Sequence, residues 1–152
     1  MGSKRMSAGR FAAINNANKA GMKLKLETLA AAKTLDAEDS GKIFALNLAG
    51  GFDVTLPNAS DAGSGWYCRF VVKVAPTTAY TISATAGDGD NMHGCVMNSE
   101  GGVGDKTGGT GTDVLTFVAN KAMIGDYVEL FTDGTLWYVT AQVEQNDAFT
   151  LS

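Results

Sequence analysis

This sequence of 152 residues has few of the side chains on which most enzyme active sites and metal sites depend. It contains one histidine, His93, and two cysteines, Cys68 and Cys95. A structural zinc site needs four Cys or His ligands, and a catalytic triad needs a base beside its nucleophile. A dyad of His93 and Cys95 is the nearest approach to either, but Gly94 lies between them and no oxyanion-loop sequence follows. We therefore expect no catalytic residues, no metal and no cofactor.

Long apolar runs are also missing. No stretch approaches the roughly 18 apolar residues of a membrane span, and the first residues lack the apolar core of a signal peptide. Two cysteines form no disulfide framework, so free thiols in a reducing compartment are the expectation. The remaining composition, with 45% hydrophobic and 18% charged residues, is typical of globular proteins.

Charge is distributed unevenly along the chain. Residues 1–35 carry seven basic side chains and one acid, a net charge of +6, and the other 117 residues carry a net charge of −10. We interpret residues 1–30 as a basic N-terminal arm with at most a short helix, and residues 31–152 as the folded domain. The arm residues that we expect to bind a partner are basic or apolar: Arg5, Arg10, Phe11, Ile14, Lys19, Lys23 and Lys25.

Alternation of apolar and polar residues predicts strands from about residue 31 onward. The longest alternating segment, residues 66–74, places Trp66, Cys68 and Phe70 on one face. Residues 42–48 and 52–56 alternate in the same way, and residues 80–85, 91–98 and 113–120 are further strand candidates. About nine short strands with turn residues between them, and no long helices, predict an all-β fold, an antiparallel β-sandwich or jelly roll.

The clearest local pattern is a hairpin. Asp133-Gly134 between two strand-like runs predicts a two-residue type I′ turn, in which Leu130 pairs with Trp137. The face opposite Leu130 carries large apolar side chains, which a solvated face should not. Another sheet or another subunit should cover this face, and its residues form the predicted subunit interface: Tyr127, Phe131, Leu136 and Tyr138.

Residues 87–111 contain nine of the 19 glycines. Asp88, Asp90 and Asn91 alternate as calcium ligands can, but the bidentate Glu that ends an EF-hand loop is missing. The Lys106-Thr107 pair lacks the glycine that a phosphate-binding P-loop places before its lysine. The interpretation is a strand over residues 91–98 between glycine-rich connections that project from the surface.

Six strings occur in a fixed order: "TLDAEDSGKIFAL", "FDVTLP", "RFVVKVAPT", "DNMHG", "LTFVANKAMIGDYVEL" and "TDGTLWYV". Together they resemble small β-rich virion proteins of tailed bacteriophages, in particular capsid decoration (cement) proteins. The similarity spans residues 31–140 and does not include the arm. It implies a non-enzymatic homotrimer that binds the major capsid protein on the outside of the phage head, stabilises it, and is assembled in the host cytoplasm.

These expectations combine into one mechanism. The trimer forms through the tyrosine-rich face, and the three basic arms lie over grooves between capsid subunits, with avidity replacing strong single contacts. One alternative is a head- or tail-fibre or carbohydrate-binding module that uses Trp66 and Tyr67, since "DGTLWYV" also occurs in fibre-like proteins. Nucleic-acid binding by the arm is disfavoured by the acidic body and by the lack of interleaved aromatic residues. No nucleic-acid or membrane partner is expected.

Overall fold

The computed structural model describes residues 23–85, 92–100 and 112–152, and these residues form two packed β-sheets. Their strands are β1 (Lys25–Leu29), β2 (Lys33–Thr34), β3 (Lys42–Leu46), β4 (Phe52–Thr55), β5 (Tyr67–Val72), β6 (Tyr80–Ser83), β7 (Met92–Asn98), β8 (Val114–Phe117), β9 (Tyr127–Thr132), β10 (Trp137–Val143) and β11 (Phe149–Leu151). A 3-10 helix spans Ala37–Asp39 and helix α1 spans Ala59–Ala62. The six-stranded sheet has the order β1-β3-β5-β9-β10-β7, and the five-stranded sheet has the order β11-β8-β6-β4-β2.

The predicted all-β sandwich is confirmed, but the strand pairing is mixed. Of the nine pairs of strands in the described ranges, five are parallel and four antiparallel. From β1 to β9 the chain crosses to the other sheet after every strand. Among strands two apart in sequence, β1, β3 and β5 become parallel neighbours in one sheet, and β2, β4 and β6 become parallel neighbours in the other. Each sheet contains both parallel and antiparallel pairs, so the antiparallel pairing that we expected holds for only part of each sheet. The topology is therefore not a jelly roll of antiparallel strands.

Strand β1 lies in a part of the chain that the sequence analysis assigned to the arm. It forms one edge of the six-stranded sheet and pairs in parallel with β3, with Lys25 opposite Lys42 and Leu29 opposite Leu46. The predicted boundary at residue 30 therefore moves back to Lys25. The alternation in "KLKLETL" is the sequence signal that could have indicated this strand.

The core fills the space between the inner faces of the two sheets. In β5 the side chains of Cys68, Phe70 and Val72 are buried, as the alternation predicts. The Trp66 ring packs edge-on against Trp137 with 5.3 Å between centroids. The largest fully buried side chains come from both sheets: Trp137, Tyr80, Phe44, Phe70, Phe117, Leu46, Leu56, Ile82, Met92, Leu115, Leu130 and Val54.

The predicted hairpin is present, but its register differs from the prediction. Leu130 lies opposite Val139, and Thr132 lies opposite Trp137. The predicted pairing of Leu130 with Trp137 is therefore wrong. Because the register differs by an even number of residues, each side chain still lies on the face where the alternation placed it.

The turn itself explains the difference in register. The Asp133 carboxylate accepts hydrogen bonds from the backbone amides of Thr135 and Leu136, both at 2.8 Å. These bonds hold residues 133–136 as one turn, so the strands resume pairing only after Leu136. Gly134 has a φ of 95°, a conformation that glycine adopts readily.

Strand β7 approaches β10 unusually closely. A Cβ atom on Gly94 would lie 1.9 Å from the carbonyl oxygen of Val139. Only glycine fits this position without displacing the edge strand. The strand predicted at residues 91–98 is confirmed as Met92–Asn98.

A cluster of ion pairs joins the edges formed by β1 and β2. The Lys33 ammonium lies 2.7 Å from Glu27 and 3.2 Å from Asp39, and Lys42 contacts the same two carboxylates. Hydrogen bonds from Lys33 and Lys42 hold the pKa of Glu27 below its ordinary value. Burial raises the pKa of Asp39, but hydrogen bonds from Lys42, the Asp36 backbone and Lys33 outweigh this, and the net shift is downward.

Candidate interaction surface

The side of the six-stranded sheet that faces away from the core is the candidate interaction surface, called the outer face below. No described strand packs over it. The strand registers place in one row Leu26, Ile43, Arg69, Glu129, Thr140 and Cys95. They place in a neighbouring row Thr28, Ala45, Val71, Tyr127, Gln142 and Met97. The outer face is thus a mixture of apolar, aromatic and charged side chains.

A third row of the outer face consists of rings. Tyr67 on β5 lies opposite Phe131, Phe131 opposite Tyr138, and Tyr138 opposite His93. The rings of Phe131 and Tyr138 are stacked, with centroids 4.9 Å apart and planes 18° from parallel. Phe131 is 50% exposed although it is a large apolar side chain. These four residues are called the aromatic row.

Ionic and hydrogen-bond contacts fix the side chains at the centre of the outer face. The Arg69 guanidinium forms an ion pair with Glu129 and donates from Nε at 2.8 Å to Glu129 Oε1, which also accepts from the Tyr67 hydroxyl at 3.1 Å. The guanidinium carbon lies 4.8 Å from the centroid of the Tyr127 ring, a cation–π distance. Hydrogen bonding to Arg69 lowers the pKa of Glu129. These contacts link the side chains of Tyr67, Arg69, Tyr127 and Glu129 to one another without a partner.

The turn of the hairpin fixes the far end of the aromatic row. The Tyr138 hydroxyl donates a hydrogen bond to Asp133 Oδ2 at 3.0 Å. Backbone hydrogen bonds from Leu136 and Thr135, followed by the one from Tyr138, lower the pKa of Asp133. The same bond to Asp133 raises the pKa of Tyr138. Sequence reasoning placed Tyr138 on this surface but did not identify its partner.

The four predicted interface residues lie together on this side of the molecule. Tyr127, Phe131 and Tyr138 project from the outer face, and Leu136 is half-buried in the adjoining turn. The second sheet does not cover them, which leaves a second subunit as the covering element that the sequence analysis considered. That assignment remains a prediction.

The predicted arm residues fall in two groups. Arg5, Arg10, Phe11, Ile14 and Lys19 lie outside the described residues. Lys23 and Lys25 are described, and both are exposed, with Lys25 at the start of β1.

The fold separates Cys68 from His93 and Cys95, the other two residues considered for chemistry. His93 and Cys95 share the outer face of β7, as their spacing predicts, whereas Cys68 is buried in the core, where burial raises its pKa well above the ordinary value. In the described ranges no three His, Cys, Asp or Glu side chains are grouped as a metal site would require.

Trp66, considered as a sugar-stacking residue, is 3% exposed and donates its indole N–H to the Asp36 carbonyl. The calcium candidates Asp88, Asp90 and Asn91 and the Lys106-Thr107 pair lie outside the described residues.

Two further features of the surface were not identified from the sequence. The first is a corner at the start of β1 where Leu24 and Leu26 are 61% and 67% exposed. Lys23 and Lys25, which alternate with them, are also exposed. These four residues are called the leucine corner.

The second feature is a groove at the end of the sheet where β9 begins and β10 ends. A cavity of about 380 Å³ adjoins one of about 320 Å³, and both are lined by Ser99 and Glu144. The groove also includes Ile124, which is 70% exposed, and Glu100 and Tyr127. It is called the acidic groove and is defined by Ser99, Glu100, Ile124, Tyr127, Gln142 and Glu144.

Comparison with protein-family models finds no match to this chain, and comparison with curated proteins finds no match either. Within the described ranges no helix is both long enough and apolar enough to cross a membrane.

Proposed function

We propose that this chain is a virion structural protein that decorates and stabilises the outer surface of a bacteriophage head, and that it acts by binding and without catalysis. Its partner would be the major capsid protein, and its working form a homotrimer. The sequence strings quoted above support this proposal, since they resemble capsid decoration proteins over most of the sandwich.

The observation that carries the proposal is the ordered but uncovered outer face. A half-exposed phenylalanine stacked on a tyrosine, next to further exposed apolar side chains, is unusual on a monomer that contacts nothing. Aromatic residues and arginine are enriched in protein–protein interfaces. Arg69 and Glu129 already satisfy each other, so covering them would leave no unpaired buried charge.

The charge distribution supports a separate role for the N-terminal residues. Residues 1–22 contain four basic side chains and no acid, so residues 23–152 carry a net charge of −8 within the total of −4. Where the capsid surface is acidic, it attracts the basic segment and repels the acidic body. Phe11 and Ile14 would add apolar contacts that salt does not screen.

The direct test is sedimentation with capsids that were assembled without this protein. The full chain should sediment with the capsids, and deletion of residues 1–22, which spares β1, should weaken binding by at least about 100-fold because three linked contacts are lost. Binding by the truncated chain at full strength would contradict the role of the arm. Failure of the full chain to bind would contradict the proposed function itself.

Matched substitutions separate the two contributions of the arm. Arg5 and Arg10 changed to Gln should weaken binding mainly at low ionic strength, whereas Phe11→Ser with Ile14→Ser should weaken it at every ionic strength. Lys121→Gln is the control, since it removes a basic side chain from an exposed ion pair on the body. It should leave capsid binding unchanged.

The aromatic row is the observation that favours the alternative, a carbohydrate-binding module. Phe131 is the most exposed ring of the aromatic row, but its face is turned toward Tyr138, which reduces the ring surface that could stack on a sugar. Binding of the protein to a glycan array, lost in Phe131→Ser, would support this alternative.

A further inference from the structure

The leucine corner and the acidic groove are two exposed apolar sites of opposite charge on one chain. The corner combines Leu24 and Leu26 with two lysines. The groove combines Ile124 with Glu100 and Glu144, both exposed. In the described residues neither of these glutamates forms an ion pair, and neither do Lys23 and Lys25.

The fold keeps the two sites apart within one molecule. Strand β1 is the edge of the sheet, and three strands separate it from β10, which corresponds to about 19 Å. The corner lies at the start of β1, which runs parallel to β3 and β5. The groove lies beyond the end of β5, where Tyr127 pairs with Val71. Both sites adjoin strands of the same sheet and lie at its opposite ends, so we expect them to meet only between two molecules.

We infer that the leucine corner of one copy docks in the acidic groove of the next copy, and that this head-to-tail contact closes the oligomer. The occupant of the groove is thus a second copy of this chain. The inference rests on the proposed function for the trimeric state, and it places the subunit contact at the leucine corner and the acidic groove, which share only Tyr127 with the subunit interface predicted from the sequence.

Charge decides between the possible pairings of these sites. Two leucine corners facing each other would oppose four lysines, and two grooves would oppose four glutamates, so a symmetric contact of either site with itself is disfavoured. A corner against a groove places Lys23 and Lys25 beside Glu100 and Glu144. Because this contact uses different surfaces on the two partners, repetition produces a ring when the rotation between copies closes.

Hydrogen bonds within the chain hold the walls of the acidic groove together without a partner. The Asp126 carboxylate accepts hydrogen bonds from the backbone amides of Met123 and Glu144, at 2.8 and 2.9 Å. These bonds tie the loop that carries Ile124 to the end of β10. The Tyr127 hydroxyl donates to Gln142 at 2.9 Å across the wall of the groove. A preformed site loses little freedom on binding.

Charge exchange tests the contact. Two double variants of the full chain are compared with the parent: Lys23→Glu with Lys25→Glu, and Glu100→Lys with Glu144→Lys. Each should dissociate at protein concentrations at least about 10-fold above those at which the parent dissociates. The variant with all four changes should recover the parent's assembly. Analytical ultracentrifugation over a concentration series measures this, with circular dichroism to show that each variant is folded.

An apolar pair completes the test. Leu26→Ser and Ile124→Ser should each weaken assembly, whereas Leu48→Ser, at a leucine that is 40% exposed elsewhere, should not. A parent chain that stays monomeric, or a four-fold variant that does not recover, would overturn the inference. Capsid sedimentation is scored separately. An oligomer that binds capsids but is insensitive to these substitutions refutes the contact alone, and an oligomer that ignores capsids refutes the proposed function. A monomer that binds capsids refutes the contact and the proposed trimeric state, but not capsid decoration.

Discussion

The two faces of the six-stranded sheet use the same strands in opposite ways. On the inner face, Phe70 is fully buried and stacks on Phe44 with 5.2 Å between centroids. On the outer face, Phe131 stacks on Tyr138 at a similar distance but is 50% exposed. The inner stack stabilises the fold because it is removed from water. The outer stack stabilises the single chain little, because it remains exposed to water. It is instead available for contact with a partner.

The fixed geometry of the outer face strengthens this contrast. Tyr67, Glu129 and Arg69 are joined by hydrogen bonds, and Asp133 holds Tyr138. Exposed ion pairs contribute little stability. Their effect here is to hold the rings in place, which reduces the loss of side-chain freedom when the face is covered.

The largest expected difference between the two faces is in stability. Phe70→Ala should lower the free energy of unfolding by about 3–5 kcal/mol, because it leaves a cavity between packed sheets. Phe131→Ala should lower it by less than about 1 kcal/mol. Urea unfolding at one fixed protein concentration measures both. Equal losses would contradict the distinction between the faces.

The second-largest expected effect on stability comes from the close contact between the backbones of β7 and β10. Gly94→Ala should cost about 3 kcal/mol, because the added Cβ would overlap the Val139 carbonyl and push β7 from β10. Gly50→Ala is the matched control, since a Cβ there meets nothing within 4 Å and the backbone is not left-handed. Thermal unfolding compares the two. A Gly94 variant as stable as the control would show that β7 can shift without loss.

Acid should weaken two sets of ion pairs. One is the Glu27 cluster, in which Lys33 and Lys42 contact Glu27 and Asp39, and the other is the Arg69–Glu129 pair of the outer face. The pKa values of Glu27, Asp39 and Glu129 are lowered in the fold. The stability that they contribute is therefore complete above their ordinary pKa of about 4 and is lost as the pH falls through the lowered values. The loss for Glu27 and for Glu129 should be about 1 kcal/mol or less each, because their side chains are about one third exposed.

Thermal unfolding between pH 5 and pH 2 measures this loss. Glu129→Gln should reduce the acid dependence and leave the contribution of the Glu27 cluster. An unfolding temperature that does not change over this range would contradict the assignment of these ion pairs.

The smallest effect is a difference in thiol reactivity without a change in stability. Cys95 is half-buried on the outer face, whereas Cys68 is fully buried and its pKa is raised by burial. A thiol reagent should therefore modify Cys95 alone in the folded protein and both cysteines in denaturant. Cys95→Ser should abolish the reaction of the folded protein. Rapid modification of Cys68 would show that the inner face opens.

Local patterns predicted the parts of the structure that depend on neighbours in sequence. The alternation in β5 identified the buried side of Cys68 and Phe70, and Asp133-Gly134 identified the hairpin. The detailed register depended on Asp133 bonding to two backbone amides, which the choice of turn residues alone does not specify. The start of the sheet was missed because β1 is an edge strand with leucines on its exposed side.

The amino-acid sequence was enough to indicate that this chain forms strands with one apolar side, because alternation is a property of adjacent residues. Which strands are neighbours became known from the folded structure, since the chain crosses between the sheets after most strands and most pairing partners are distant in sequence. That same crossing placed Tyr67, Phe131, Tyr138 and His93 in one row and put the leucine corner and the acidic groove at opposite ends of a rigid face. Surfaces assembled from non-local strands leave no contiguous pattern in the sequence, because hydrogen bonds between strands, and not spacing along the chain, set their positions.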